Sequence, residues 1–308
     1  MRVRLAGAAA AVLVTALLAA GCSDPAGEPS APKGRLTVGS ASAPEAQILA
    51  AMYALALEKA GYEVTGSYEA GPRQIYLPAM QRGEIDVLPE YLSGLATYLG
   101  SSSAKGEVDP PAGGNVTATW QALQPLLAGR ALTVGAPSPA TDQPAWAVSK
   151  ELADRESLQA VSDLGRLGGR LVLGGPPGCA SEPSCLVGLQ ETYGLRFKEV
   201  RSVGAVSSPM VFAALQDGSI DVGAVLSSDG RVAADGLVVL DDDKRVQDAG
   251  NVVALYRDTV PADARAVVEA VNRALTTEKL QELNKKRVVD GADTTELAKR
   301  FLQDARLL

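Results

Sequence analysis

One phrase occurs twice in this chain, 135 positions apart: Ala79-Met80-Gln81-Arg82-Gly83-Glu84-Ile85-Asp86-Val87 and Ala214-Leu215-Gln216-Asp217-Gly218-Ser219-Ile220-Asp221-Val222. A second phrase keeps the same offset, Gly34-Arg35-Leu36-Thr37-Val38-Gly39 against Gly169-Arg170-Leu171-Val172-Leu173-Gly174. Two phrases with one offset describe two copies of one supersecondary unit. The unit reads as strand, helix, strand, short helix, strand, so the fold class is α/β with two lobes. A cleft between two lobes is where small molecules bind.

In the first copy the spacing predicts a strand at 35–39, a helix opening at Pro44 and closed by Gly61, and a strand over 62–68. A short helix over 75–82 stopped by Gly83 and a strand over 85–88 follow, with Pro89-Glu90-Tyr91 leaving that strand. The second copy repeats the order with strands at 170–173, 196–201 and 220–226 and helices over 185–192 and 209–216. Strands over 131–135 and 145–149 flank a Pro-rich join, Pro137–Pro144, read as the first crossing between lobes. The return is expected near Leu240, beside Asp241-Asp242-Asp243, and three helices close the chain, the last capped by Asp293. In open α/β sheets ligands meet the loops at the carboxyl ends of strands. This rule selects 39–45 and 89–94 in one lobe, 174–178 and 227–230 in the other.

The first residues read as a leader. Arg2 and Arg4 precede an uncharged apolar run that closes with Leu18-Ala19-Ala20-Gly21-Cys22, small residues directly before a cysteine as in a lipoprotein leader. Residues 1–21 are expected to be removed and Cys22 to carry the lipid. The Pro-, Ala- and Ser-rich segment 22–34 is expected to act as a flexible tether. The expected location is outside the cell membrane, held to its outer face.

Composition excludes several function classes. The 308 residues contain no histidine, which removes Ser-His-Asp and Cys-His catalysis and histidine metal sites. A formal charge of −7 disfavours nucleic acid as a partner and suits a cationic solute. No cofactor or metal is expected: Gly174–Gly178 lacks the Gly-Lys-Ser/Thr end of a phosphate loop, and 241–243 fits no EF-hand. Cys179 and Cys185, in an oxidising compartment, are expected to form a disulfide.

The ordered motifs Val38-Gly39-Ser40 with Pro44-Glu45, Arg73-Gln74-Ile75-Tyr76-Leu77-Pro78-Ala79, Gly83–Tyr91, Gly174-Gly175-Pro176-Pro177, Tyr193–Glu199 and Ser227-Ser228-Asp229-Gly230-Arg231 resemble those of the glycine betaine/choline/carnitine-binding proteins of osmoprotectant ABC importers. The resemblance covers 35–308. It implies a two-lobed, Venus-flytrap periplasmic-binding-protein type II fold and a monomeric receptor that delivers a small solute to a membrane permease. Lobe 1 would comprise 35–141 plus 241–308, and lobe 2 would comprise 142–240. Such proteins hold a quaternary ammonium among aromatic rings. Tyr91 matches the tyrosine of the Pro-Glu-Tyr motif. Other positions where relatives carry lysine or aromatic residues fall on Ala41, Ala43, Pro144 and Leu226, which leaves the solute open.

The candidate ligand-binding residues are Tyr91, Ser40, Ser42, Ser93, Asp142, Gln143, Trp146, Phe212, Ser227, Ser228 and Asp229, with Tyr76 as a further ring. Each has a structural alternative: a ring in the core, a helix cap, a hinge bond. Arg73 is read as holding the lobe together. Two other functions fit the same frame: a surface sensor, and an exported hydrolase with Glu90 and Asp229 as its acid pair.

Overall fold

The computed structural model describes residues 32–101 and 113–308. The leader, Cys22, the tether up to residue 31 and most of the 101–114 loop lie outside them. Among the described residues no helix is long and apolar enough to cross a membrane.

Among the described residues ten strands form two five-stranded sheets. The first contains β1 (Arg35–Gly39), β2 (Glu63–Ser67), β3 (Val87–Tyr91), β4 (Leu132–Val134) and β10 (Val252–Arg257); the second contains β5 (Pro144–Ser149), β6 (Val172–Gly175), β7 (Glu199–Ser202), β8 (Val222–Leu226) and β9 (Leu237–Leu240). Their strand orders are equivalent, β2-β1-β3-β10-β4 and β7-β6-β8-β5-β9. In each sheet the three strands of the repeat run parallel, and the fourth, antiparallel strand comes from chain that has just crossed from the other lobe.

The repeated aspartate shows why the phrase recurs. Asp86 Oδ2 accepts the Thr37 amide at 2.8 Å and Asp221 Oδ2 accepts the Val172 amide at 2.7 Å, so each carboxylate ties its third strand to the first strand of its unit. The isoleucine before it fills the space left by a glycine. A Cβ on Gly39 would lie 2.9 Å from Ile85, and one on Gly174 would lie 2.4 Å from Ile220. These contacts relate residues 135 apart pair by pair.

Helices cover both faces of the first sheet. Pro44–Lys59 buries Ile48, Leu49, Met52, Tyr53 and Leu57 against the helices Ala262–Ala274 and Thr294–Asp304. Each of those side chains contributes on the order of 1.5–3 kcal/mol by leaving water. The helices Arg73–Arg82, Leu92–Ser101 and Val116–Leu127 pack a second cluster around Met80, Leu95 and Leu255. The second sheet is sandwiched likewise, by clusters around Leu173 and Val225.

Two differences from expectation bear on the site. β3 continues through Pro89-Glu90 to Tyr91 instead of ending at Leu88. Proline is tolerated there because β1 pairs with β3 at Val87, while Pro89 faces Ala254 of β10. β10 itself, an unbroken apolar run, was not anticipated. The two crossings, 135–143 and 241–251, lie side by side: Thr141 bridges Asn251, the Asp142 amide donates to the Gly250 carbonyl at 2.9 Å, and Gly250 donates to Gln143 Oε1 at 3.1 Å.

Candidate functional site

At the carboxyl ends of β1 and β3 lies a cavity of about 260 Å³ lined by Ala41, Ala46, Pro72, Arg73, Gln74, Tyr76, Pro89, Glu90, Tyr91 and Tyr98. Three tyrosines thus border it, each from a different element: the helix 73–82, β3, and the helix 92–101. The rings are set by acids behind them. Glu90, 2% exposed, takes a two-pronged bond from Arg73 (2.8 and 2.9 Å), a hydrogen bond from the Tyr76 hydroxyl, and one from the Tyr91 amide at 2.8 Å. Arg73 is committed to this pair, in keeping with its expected structural role.

The Tyr91 hydroxyl donates to Glu45 Oε1, and burial beside Glu45 and Asp142 pushes that phenol well above its ordinary value, so it stays neutral. Glu45 lies in the first turn of the helix 44–59. Its other oxygen accepts from Asn284 Nδ2, which also donates to the Ser228 carbonyl at 2.9 Å. Ser228 Oγ donates to Asp142 Oδ1 at 2.7 Å. One chain of bonds therefore runs from a cavity ring at the end of β3 in the first sheet to the β8 exit in the second sheet and to Asp142 in the first crossing. Desolvation, then the neighbouring Asp142 charge, raises Glu45 to about 7, and desolvation raises Asp142.

The other singled-out residues are placed as follows. Ser40 is fully buried, and its Oγ has no partner. Ser42 is exposed before the helix 44–59, whose N-cap is Ala43. Ser93 is the second residue of the helix 92–101 and donates its amide to the Ala249 carbonyl. Gln143 and Ser227 clamp the crossing: Ser227 Oγ donates to the Thr141 carbonyl at 2.9 Å and accepts the Gln143 amide at 3.1 Å. Asp229 caps the helix Gly230–Ala234 and pairs with Arg231 at 2.7 Å. Glu90 and Asp229 are therefore each bound to an arginine, which removes the free acid that a glycosidase pair requires. Phe212 is in the core with the Arg231 guanidinium 4.2 Å from its ring centre. Trp146, 3% exposed, borders a smaller cavity of about 80 Å³ with Pro144, Pro176, Glu182, Cys185 and Ala224. The Cys179–Cys185 disulfide forms beside it, and Gly175 leaves room, since a Cβ there would lie 2.7 Å from Cys179 Sγ.

Sequence reading passed over Glu45 as a ligand-shell residue, and Asn284 and Tyr98 altogether. For Asn284 a signal existed: it occupies a buried position of the Leu280, Leu283, Asn284 stripe, where an unpaired amide is costly. No group of three or more metal-ligating side chains forms among the described residues.

A larger cavity, about 430 Å³, lies elsewhere, between the helix Leu186–Glu191 and the second crossing, lined among others by Glu191, Lys244, Arg245 and Asp248. It shares Ser184 with the cavity beside Trp146 and is bordered by no aromatic residue.

Comparison with known proteins places these features. Residues 34–304 match the family described as the substrate binding domain of ABC-type glycine betaine transport systems. The glycine-betaine-binding protein of Pseudomonas aeruginosa is 25% identical over 286 residues, covering 89% of this chain and 88% of that protein. Glycine betaine-binding protein YehZ of Escherichia coli is 24% identical over 277 residues, 86% of this chain and 89% of the relative. The apo YehZ structure superposes with a TM-score of 0.78 at 23% identity, covering 89% of this chain and 99% of that one. A glycine betaine/carnitine/choline ABC transporter structure gives 0.74 at 24% identity, covering 89% and 98%. The fold is thus the type II periplasmic-binding-protein fold. The chain belongs to the family of ABC-transporter substrate-binding proteins of glycine betaine transport systems, and is not an enzyme.

Proposed function

We propose that this chain is a lipid-anchored, extracytoplasmic receptor that binds a quaternary ammonium solute in its interlobe cleft and delivers it to the permease of an ABC importer. The observation that carries the ligand class is the cavity bordered by Tyr76, Tyr91 and Tyr98. A methylated ammonium offers no strong hydrogen-bond donor; ring faces attract its charge and shelter its methyl groups. The relatives named for glycine betaine support the same class. The anchor rests on the Leu18–Cys22 motif. Lobe 1 (35–141 plus 241–308) and lobe 2 (142–240) are the moving parts, hinged at the paired crossings, and the protein acts as a monomer. A solute touching both lobes favours the closed arrangement by its differential affinity for it.

Equilibrium dialysis of the mature protein against choline, glycine betaine, carnitine and proline betaine tests this. Saturable binding of at least one below millimolar concentration is expected, weakened about tenfold or more by Tyr91→Ala. No binding of any at millimolar concentration would overturn the ligand class.

A further inference from the structure

Six large hydrophobic side chains stand exposed among the described residues, and two of them occupy one position of the repeat. Ile75, 59% exposed, and Met210, 60% exposed, lie 135 residues apart, the offset of the repeated phrases. Their helices are otherwise well packed: Tyr76, Leu77 and Met80 are buried in one, and Val211, Phe212 and Leu215, each 135 positions on, are buried in the other. The inward pattern is repeated, and so is the one large apolar side chain left outside. A left-handed glycine precedes each helix, Gly71 (φ 83°) and Gly204 (φ 96°); a Cβ there would lie 3.5 Å from Ile75 and 2.9 Å from the Met210 methyl. Residues 202–216 carry no charge, and the one charged residue among 70–81, Arg73, is held by Glu90. Topology places both side chains alike. The paired crossings join β4 to β5 and β9 to β10, whereas β2 and β7, whose loops lead into these two helices, are the sheet edges farthest from the crossings. Gln74 and Tyr76, on either side of Ile75, border the tyrosine cavity, and Val206 of the second loop borders the cavity beside Trp146.

Resting on the two-lobed receptor reading, we propose that Ile75 and Met210 form a paired docking surface for the membrane permease, one from each proposed lobe, each seated in an apolar socket of that partner. The family delivers its solute to ABC permeases. Closure hinged at the crossings moves the far edges most, so the distance between the two side chains follows the state of the cleft. A partner that grips both at once reads that distance, because bivalent engagement is lost when the spacing is wrong. Seating the two side chains also removes apolar surface from water, which favours docking. A contact made by ion pairs would need charges beside them, and 70–81 and 202–216 offer none unpaired.

The test titrates the mature protein onto its importer, permease plus ATPase, reconstituted in nanodiscs. ATP hydrolysis is followed with and without a mixture of choline, glycine betaine, carnitine and proline betaine. Ile75→Ser and Met210→Ser are compared with the parent and with Val288→Ser, an equally exposed apolar position outside the repeat. Each of the first two should raise the half-saturating receptor concentration about fivefold, and both together about twenty-five-fold. Val288→Ser should leave it unchanged, and the solutes should tighten docking of the parent. Equilibrium dialysis should give all variants the parent's solute affinity, which also shows that they fold. Either repeat variant docking like the parent, or Val288→Ser docking as poorly as they do, would overturn the inference. Solute affinity falling with docking in both variants would overturn it in favour of the two side chains meeting across the closed cleft. Self-association of the parent in sedimentation, lost in both variants, would overturn it in favour of a second copy. A parent that binds none of the four solutes sinks the quaternary-ammonium reading alone, since the solute-free titration must still show the same order of variants.

Discussion

The paired aspartates of the repeat make unequal contributions that can be worked out from their contacts. Asp221→Ala removes a charge-assisted bond to the Val172 amide, leaving a part-buried N–H without its acceptor. A bond of this kind contributes about 1.5–3 kcal/mol, so about 2 kcal/mol should be lost. Asp86→Ala removes the equivalent bond to Thr37 and also the ion pair with Arg257 at 2.8 Å, whose side chains are 27% and 15% exposed. Discounted for solvent, that pair adds about 1 kcal/mol, giving roughly 3. Urea titration followed by circular dichroism and tryptophan fluorescence measures both losses, and thermal midpoints should fall by about 2–4 °C per kcal/mol. Asn at either position keeps an acceptor and should lose about half as much. Two Ala variants within about 0.5 kcal/mol of the parent, or Asp221→Ala costing clearly more than Asp86→Ala, would refute the reading of the repeat as two equivalent strand ties.

Other consequences follow from the cleft and its supports. Gly230 faces the chain at 284–285 across the proposed lobe boundary, and a Cβ there would lie 2.2 Å from the Lys285 nitrogen; Gly230→Ala should therefore wedge the proposed lobes apart, seen as a larger radius of gyration in solution scattering and weaker solute binding. Replacing Cys179 and Cys185 by serine opens a loop of sequence separation 6 and should cost about 2 kcal/mol by denaturant titration, without abolishing folding. The carboxyl of Glu45 is raised from 4.5 to about 7 by burial, so the solute-free protein binds more protons than its unfolded chain within that window. Its stability should fall as pH rises through the window, and Glu45→Gln should melt higher than the parent at pH 8 and close to it at pH 5.

The frame of both lobes was legible because its signals are local or repeated: Gly83 and Gly218 end short helices, Ile85 and Ile220 fill glycine gaps, and Asp86 and Asp221 bond strands within their own unit. β10 was not legible. Val252–Tyr256 is apolar on both faces, so it lacks the alternation that marks a half-buried strand, and its partner β3 lies about 160 residues earlier. The site divides along the same line. Tyr91 sits beside a cavity because its motif ends a strand, whereas Phe212 and Asp229 lie on motifs of the same kind yet are engaged by Arg231. Which aromatic or acid is engaged depends on that partner's rotamer, and spacing does not encode it. Asn284 joins Glu45 to Ser228 from 239 and 56 residues away, and a contact assembled from three distant segments leaves no periodic trace.

The central claim is that the tyrosine cavity of lobe 1 receives a methylated ammonium. A crystal structure of the mature protein grown with choline, or with whichever solute dialysis selects, tests it most directly. The account predicts the solute nitrogen within about 6 Å of the Tyr91 ring centre, with Tyr76 or Tyr98 alongside. A solute bound in the cavity beside Lys244 and Arg245, or in the cleft without contact to Tyr91, would contradict it.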